Sequence, residues 1–152
     1  MVWVAGMQLL GGIAMLALSL LAWAGQAIVL FAPSTAQRWG LCEAAEHVEP
    51  AFWADVRGEA LWDFFTLWTL VVAALLLILD HEAWPYFGLV GGGMYLYFAG
   101  RGIFTRIELR KRGARIGTPQ GVTSAFVFLG LWALMGLATI AAATRELLHL
   151  SG

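Results

Sequence analysis

The sequence predicts an all-α integral membrane protein, built as a bundle of four transmembrane helices. Hydrophobic residues make up 61% of the 152 residues and charged residues only 12%, and the mean hydropathy is +0.77. A soluble domain carries about 25% charged residues, so this composition favours lipid as the main solvent. Nine basic residues against ten acidic ones provide no basic excess for binding a nucleic acid, and we expect no nucleic-acid partner.

Four stretches of mostly apolar residues set the number of spans, because a helix needs about 20 such residues to cross a bilayer. The runs lack the strict alternation of apolar and polar residues that marks a membrane β-strand, so we interpret them as helices. The whole chain, residues 1–152, is then one membrane domain. The predicted spans lie at about 3–31, 61–79, 84–104 and 122–143, and the loops on the inner side at about 32–60 and 105–121.

The first apolar run could instead be a secretory signal, since Ala22, Trp23 and Ala24 resemble a cleavage site. No positive charge precedes the run, and its apolar character continues to Phe31. Both features are atypical of a signal peptide. We therefore expect a retained transmembrane helix.

Basic residues predict an antiparallel up-down topology with both termini on the outer side. The first inner loop contains Arg38 and Arg57, and the second contains most of the other cations. The turn at Asp80–Ala83 has no basic residue, and only Arg145 faces outward. Loops rich in Lys and Arg stay in the cytoplasm. Because eight of the nine cations are arginines in an Ala- and Gly-rich chain, we interpret the source as bacterial and the location as the cytoplasmic (inner) membrane.

A line of carboxylates leads into the second span. Pro50 suits the first turn of a helix, which could run straight into the membrane or bend at Gly58. On a continuous helix Asp55, Glu59 and Asp63 share one face. We expect Glu59 and Asp63 to pair with Arg101, and possible further members of this polar intramembrane cluster are Arg106, Tyr97 and Gln26. An intramembrane charge is a functional candidate, but we favour a structural role that fixes the helix register, because ion-pair networks without function also occur.

A second set of polar residues, Glu43, Glu46 and His47, is a weak candidate for a metal site. On a helix Glu43 and His47 would share a face. The spacing matches neither a di-iron bundle nor a zinc protease, so we expect no metal and no cofactor. Cys42 is the single cysteine, which excludes an intramolecular disulfide.

The basic run after the third span predicts contact with anionic lipid headgroups, because each cation near an anionic leaflet contributes about 1 kcal/mol. The glycines of span three, with Gly88 and Gly92 at the spacing of close helix contacts, suggest packing against the small residues of span four, or an oligomer face. The expected partners are thus membrane lipids, and a second copy or another membrane protein is possible. The headgroup candidates are Arg106, Arg110, Lys111, Arg112 and Arg115.

Three functions remain open from the sequence. The leading hypothesis is a non-enzymatic membrane protein of structural, accessory or lipid-interacting type. The second is a transporter or permeation protein for a small solute or a proton, using Glu59, Asp63 and Arg101. The third is a membrane enzyme acting on a lipid-soluble substrate, for which no matched catalytic arrangement is visible.

Overall fold

The computed structural model describes residues 2–150 and, except at residues 2–5, 7 and 150, their side chains. The prediction of an all-helical protein is confirmed: no β-strand occurs within that range, and Val48 and Ile116 form one isolated antiparallel bridge. The helices are α1 (Val2–Phe31), α2 (Pro33–Arg38), α3 (Pro50–Thr66), α4 (Trp68–Ile78), α5 (Trp84–Lys111) and α6 (Pro119–Leu150), with a one-turn 3₁₀ helix at Ala45–His47.

Within residues 2–150, three helical segments are long and apolar enough to cross a membrane: Gln8–Phe31, Pro50–Ile78 and Pro119–His149. Only 22%, 33% and 17% of their most apolar windows are buried. The remaining apolar surface points outward, where a lipid environment would cover it. The fourth predicted span lies in α5, which is 28 residues long but less apolar than the other three.

The helix that begins at Pro50 is interrupted at Leu67, not at Gly58. The Thr69 hydroxyl donates to the Thr66 carbonyl at 2.8 Å, and the Leu70 N–H bonds to the Leu67 carbonyl at 3.3 Å instead. A threonine hydroxyl that competes for a helix carbonyl bends the helix in this way. Gly58 lies inside the uninterrupted part of α3.

The helices pack in the order α1, α4, α5, α6, with α3 against the C-terminal half of α1. Helix α5 occupies the middle of the bundle. A Cβ on Gly91 would lie 2.6 Å from the Leu70 nitrogen of α4, and one on Gly136 of α6 would lie 2.8 Å from the Gly92 carbonyl oxygen. These glycines let the helix backbones approach closely, and the small residues of span four pack on span three.

The two predicted inner loops meet at one end of the bundle. The Glu49 N–H donates to the Arg115 carbonyl at 2.8 Å, and Val48, Phe52 and Ile116 form a small buried cluster. At the opposite end Gln8 donates to the Asp80 carboxylate at 2.9 Å. This arrangement places both loops on the same side of the layer that the helices define.

Candidate functional site

The charge cluster joins α3 to α5 through a single guanidinium. Asp55 and Glu59 are four residues apart on α3 and therefore lie on one face, one turn apart. Arg101 of α5 forms an ion pair with Asp55, and a second of its nitrogens lies 2.9 Å from Glu59 Oε1. One cation thus holds two carboxylates, which fixes α3 against α5.

The expected pairing of Asp63 with Arg101 is wrong, because Asp55 takes that place. Asp63 has a relative exposure of 2% and, among residues 2–150, no cation within 4.0 Å. Its Oδ2 is buried without a hydrogen-bond partner in the described part of the chain. Asp63 lies two turns further along α3 than Asp55, and its short side chain does not reach the guanidinium.

Tyr97 and Gln26 lie beside the cluster, at the walls of two cavities that Glu59 also lines. Tyr97 is 57% exposed and lines a recess of about 200 Å³ together with Glu59, Asp63 and Arg101. Gln26 of α1 lines a larger cavity on the other side of Glu59. Within residues 2–150, neither side chain donates a hydrogen bond to a carboxylate of the cluster.

The buried tyrosine of this region is Tyr95, which the sequence did not single out for packing. Its hydroxyl donates to the Ser19 carbonyl of α1 at 2.7 Å, so it links α5 to α1 across the core. The sequence feature that could have identified Tyr95 as buried is its position one turn after Gly91, the glycine that packs against Leu70. A residue one turn along from a tightly packed glycine lies on the same buried face.

The larger cavity measures about 570 Å³ and lies between α1, α3, α6 and the first inner loop. Its wall near the middle of the bundle is apolar, whereas its wall near the two docked loops combines polar groups with apolar residues such as Phe52, Val56 and Ile116. The apolar wall includes Leu21, Ala22, Phe128, Leu129 and Trp132. The polar groups of the second wall belong to Gln26, Glu43, His47, Glu59 and Arg106.

Arg106 belongs to this cavity rather than to the Arg101 ion pairs. One of its nitrogens donates to the Gly102 carbonyl at 3.0 Å, and its guanidinium lies 5.4 Å from the centre of the Phe52 ring. No carboxylate among residues 2–150 lies within 4.0 Å of it, whereas Glu59 contacts Arg101. The cavity therefore contains a cation held by an aromatic ring and a backbone carbonyl.

The metal candidates are not arranged as a helix would arrange them. Glu43 lies in an irregular segment, and only Glu46 and His47 belong to the 3₁₀ turn, so the shared face on which the idea rested does not form. In the part of the chain that the structure describes, no three His, Cys, Asp or Glu residues could hold a metal ion together.

Glu43 instead supports the cap of α6, which Thr118 provides. Its Oε1 accepts a hydrogen bond from the Thr118 hydroxyl at 3.1 Å, and the same hydroxyl oxygen accepts one from the Gly121 N–H at 3.2 Å. A carboxylate at a helix N-terminus is stabilised by the helix dipole. A Cβ on Gly121 would lie 1.6 Å from Glu43 Oε1, so only glycine leaves room for this cap.

The remaining headgroup candidates form a band at the inner end of α5, here called the basic band: Arg110, Lys111, Arg112 and Arg115. All four side chains are exposed. Lys111 lies 2.7 Å from Glu108 and Arg115 lies 3.4 Å from Glu49. Within residues 2–150, Arg110 and Arg112 have no ion-pair partner.

Comparison of the chain with protein-family models, with curated proteins and with solved structures finds no match. The function of the protein is therefore inferred from the geometry of this molecule.

Proposed function

We propose that this protein crosses the bacterial cytoplasmic membrane four times, with both termini outside, and acts as an accessory protein that organises anionic lipid at the inner leaflet. It performs no catalysis in this proposal. The exposed basic band at the end of α5 is the observation that carries it.

The position of α5 supports a fourth span. With 28 residues it is about 42 Å long at 1.5 Å per residue, enough to cross a hydrocarbon layer of about 30 Å. It packs between α4 and α6, which belong to two of the apolar spans. A helix enclosed by two spans crosses the same layer. Its glycines lower its mean hydropathy, and four of them, Gly88, Gly91, Gly92 and Gly102, face neighbouring helices and not lipid.

The two docked inner loops support the orientation. The first loop contains Arg38 and Arg57, and the second contains the basic band. A backbone hydrogen bond from Glu49 to Arg115 joins the two loops at one end of the bundle. The positive-inside rule assigns that end to the cytoplasm. Arg145, near the end of α6, belongs to the opposite end.

The basic band gives the proposal a direct test. We expect nanodiscs formed from mixed phosphatidylglycerol and phosphatidylcholine to retain more phosphatidylglycerol around the wild type than around an Arg110→Gln/Arg112→Gln variant. Each cation contributes about 1 kcal/mol near an anionic surface, so the enrichment falls severalfold. Mass spectrometry of the retained lipids provides the measurement.

Arg145→Gln is the matched control, because Arg145 is exposed and basic but lies at the other end of the bundle. It leaves the inner-leaflet enrichment unchanged in leaflet-selective lipid labelling. An unchanged enrichment in the Arg110→Gln/Arg112→Gln variant would contradict the proposed function.

A second candidate function, passage of a proton or a small solute, is supported by one observation. Glu59 lines both the large cavity and the recess, and the recess reaches the buried Asp63. An ionised carboxylate without a cation or donor costs several kcal/mol in apolar surroundings, so this function requires Asp63 to hold a proton.

Dicyclohexylcarbodiimide tests that requirement, since it reacts with protonated carboxyl groups in apolar surroundings. Peptide mapping should find the adduct at Asp63, and Asp63→Asn should abolish it. Asp55, paired with Arg101, is the internal control. Equal labelling of Asp55 and Asp63 would refute the second candidate.

A further inference from the structure

We infer that the cavity between α1, α3 and α6 binds one anionic membrane lipid, with its phosphate on Arg106 and one acyl chain along the apolar wall. This site is separate from the basic band. The inference depends on the proposed orientation in one respect, because that orientation places the cavity in the inner leaflet.

The charge of the cavity indicates an anionic headgroup. Two carboxylates line it, and neither forms an ion pair with Arg106: Glu59 lies against Arg101, and Glu43 accepts a hydrogen bond from Thr118 at the start of α6. Arg106 contacts a ring and a backbone carbonyl, and no carboxylate among the described residues lies within 4.0 Å of it. A guanidinium in that state still has donors for a phosphate, the anion that its planar fork fits best.

The polar and apolar ends of the cavity match those of a lipid. Trp132 closes the apolar end, where its indole N–H donates to the Leu18 carbonyl of α1 at 3.1 Å. Gln26 and Arg106 lie at the other end. Free phosphate would use only the polar end, whereas a lipid would cover both.

The cavity also has an exit toward lipid. Leu21 of α1 and Phe128 of α6 both line it, and they are 48% and 43% exposed on the apolar surface of the bundle. The rest of a lipid can therefore stay in the bilayer between α1 and α6. A volume of about 570 Å³ lies within the range of roughly 300–1,000 Å³ typical of ligand sites, and it suits a headgroup and part of one chain.

Gly25 provides a way to fill the cavity without removing a charge. It lines the cavity, and a Cβ placed on it would meet no atom within 4 Å. A Gly25→Leu substitution therefore occupies the space of the acyl chain. Gly130 is the matched control, because it is also a glycine of a membrane helix with open space at its Cβ but does not line the cavity.

Native mass spectrometry of the protein, extracted from vesicles of equal parts phosphatidylglycerol and phosphatidylcholine, tests the inference. We expect one phosphatidylglycerol to stay bound to the wild type and to Gly130→Leu. Arg106→Gln should weaken retention by about tenfold, the effect of losing a charge-assisted contact, and Gly25→Leu should weaken it comparably. Arg110→Gln/Arg112→Gln should keep the single bound lipid, which separates this site from the basic band.

Three results would overturn the inference. The first is equal retention of phosphatidylglycerol and phosphatidylcholine by the wild type. The second is a loss in Gly130→Leu as large as that in Gly25→Leu. The third is displacement of the bound lipid by millimolar inorganic phosphate, which would assign the site to the free anion.

Discussion

Arg101 is the residue on which the inner half of the bundle depends. It contacts Asp55 and Glu59 together, and the side chains of these three residues are 30%, 33% and 11% exposed. Partial burial makes the ion pairs worth more than a surface pair. It also makes the loss of one partner costly, since the remaining charges keep their desolvation without compensation.

Arg101→Met should therefore lower the free energy of unfolding by about 2 kcal/mol. Glu59→Gln should lower the free energy of unfolding less in the Arg101→Met variant than in the wild type, because in that variant Glu59 has no cation to lose. Tryptophan fluorescence during denaturation in detergent micelles measures both effects. Lys111→Met, which breaks an exposed pair, is the control and should change stability by less than about 0.5 kcal/mol. Additive effects of Arg101→Met and Glu59→Gln would argue against the coupling.

Cys42 gives a test of the packing of the first inner loop. Burial, followed by the nearby Glu43, raises the pKa of its thiol, and Arg57 opposes them only weakly. The thiolate is the reactive form, so a raised pKa leaves less thiolate at neutral pH.

We expect iodoacetamide to alkylate Cys42 slowly at neutral pH in the folded protein, with a rate that still rises above the pH at which an ordinary thiol levels off. Mass spectrometry over a pH series gives the rate profile. Protein unfolded in dodecyl sulfate should show the ordinary profile. Identical profiles in the two states would contradict the half-buried position of the thiol.

Sequence reasoning identified the face of α3 and the pairing of Glu59 with Arg101, but it chose Asp63 and not Asp55 as the second partner. The spacing of Asp55, Glu59 and Asp63 sets their common face, because a helix repeats every 3.6 residues. Which carboxylate meets Arg101 depends on side-chain reach and on the relative height of two helices, and no spacing within one helix contains that information. The same limit applies to Tyr97, which lies outward although it is only one turn from Arg101.

At the scale of elements, the contact between α5 and α6 is made by glycines. A Cβ on Gly92 would lie 2.9 Å from Ile140 and 3.0 Å from the Gly136 carbonyl oxygen. Gly93, its neighbour, is exposed and has no atom within 4 Å of the same position. The two glycines are therefore a matched pair, one inside the contact and one outside it.

Gly92→Leu should separate α5 from α6 and lower the free energy of unfolding by about 1–3 kcal/mol, the cost of overpacking a close contact. Gly93→Leu should have little effect, because its side chain enters open space on the outer surface. Thermal unfolding in micelles, followed by circular dichroism, compares the two variants. A Gly93→Leu variant as unstable as Gly92→Leu would show that the contact is not as close as described.

The start of α6 at Pro119 and of α3 at Pro50 could be predicted, because proline suits the first turn of a helix. The break at Leu67 could not, since it results from hydroxyl groups that compete for backbone carbonyls. The short helix α2 and the 3₁₀ turn within the first inner loop were also missed. Ala36 of α2 packs against Val29 and Ala60, and the end of the loop docks against the second loop through Glu49 and Arg115; local sequence does not report such contacts.

At the scale of the whole molecule, the spans differ in how well hydropathy detects them. The outer helices α1 and α6 expose much of their surface and need apolar residues there. Helix α5 lies between neighbours, so close packing by glycine replaces apolar side chains. Among the described helices, three segments are apolar enough to qualify as spans by length and hydropathy, whereas the position of α5 in the bundle supports a fourth span.

The central claim is that α5 crosses the membrane and carries the basic band to the cytoplasm. Two single cysteines, Glu82→Cys before α5 and Arg112→Cys after it, test this claim in a Cys42→Ser background. Both positions are exposed. In intact cells a membrane-impermeant maleimide should label the cysteine at position 82, and it should reach the one at position 112 only after the membrane is permeabilised. Labelling of both positions in intact cells would contradict the four-span topology.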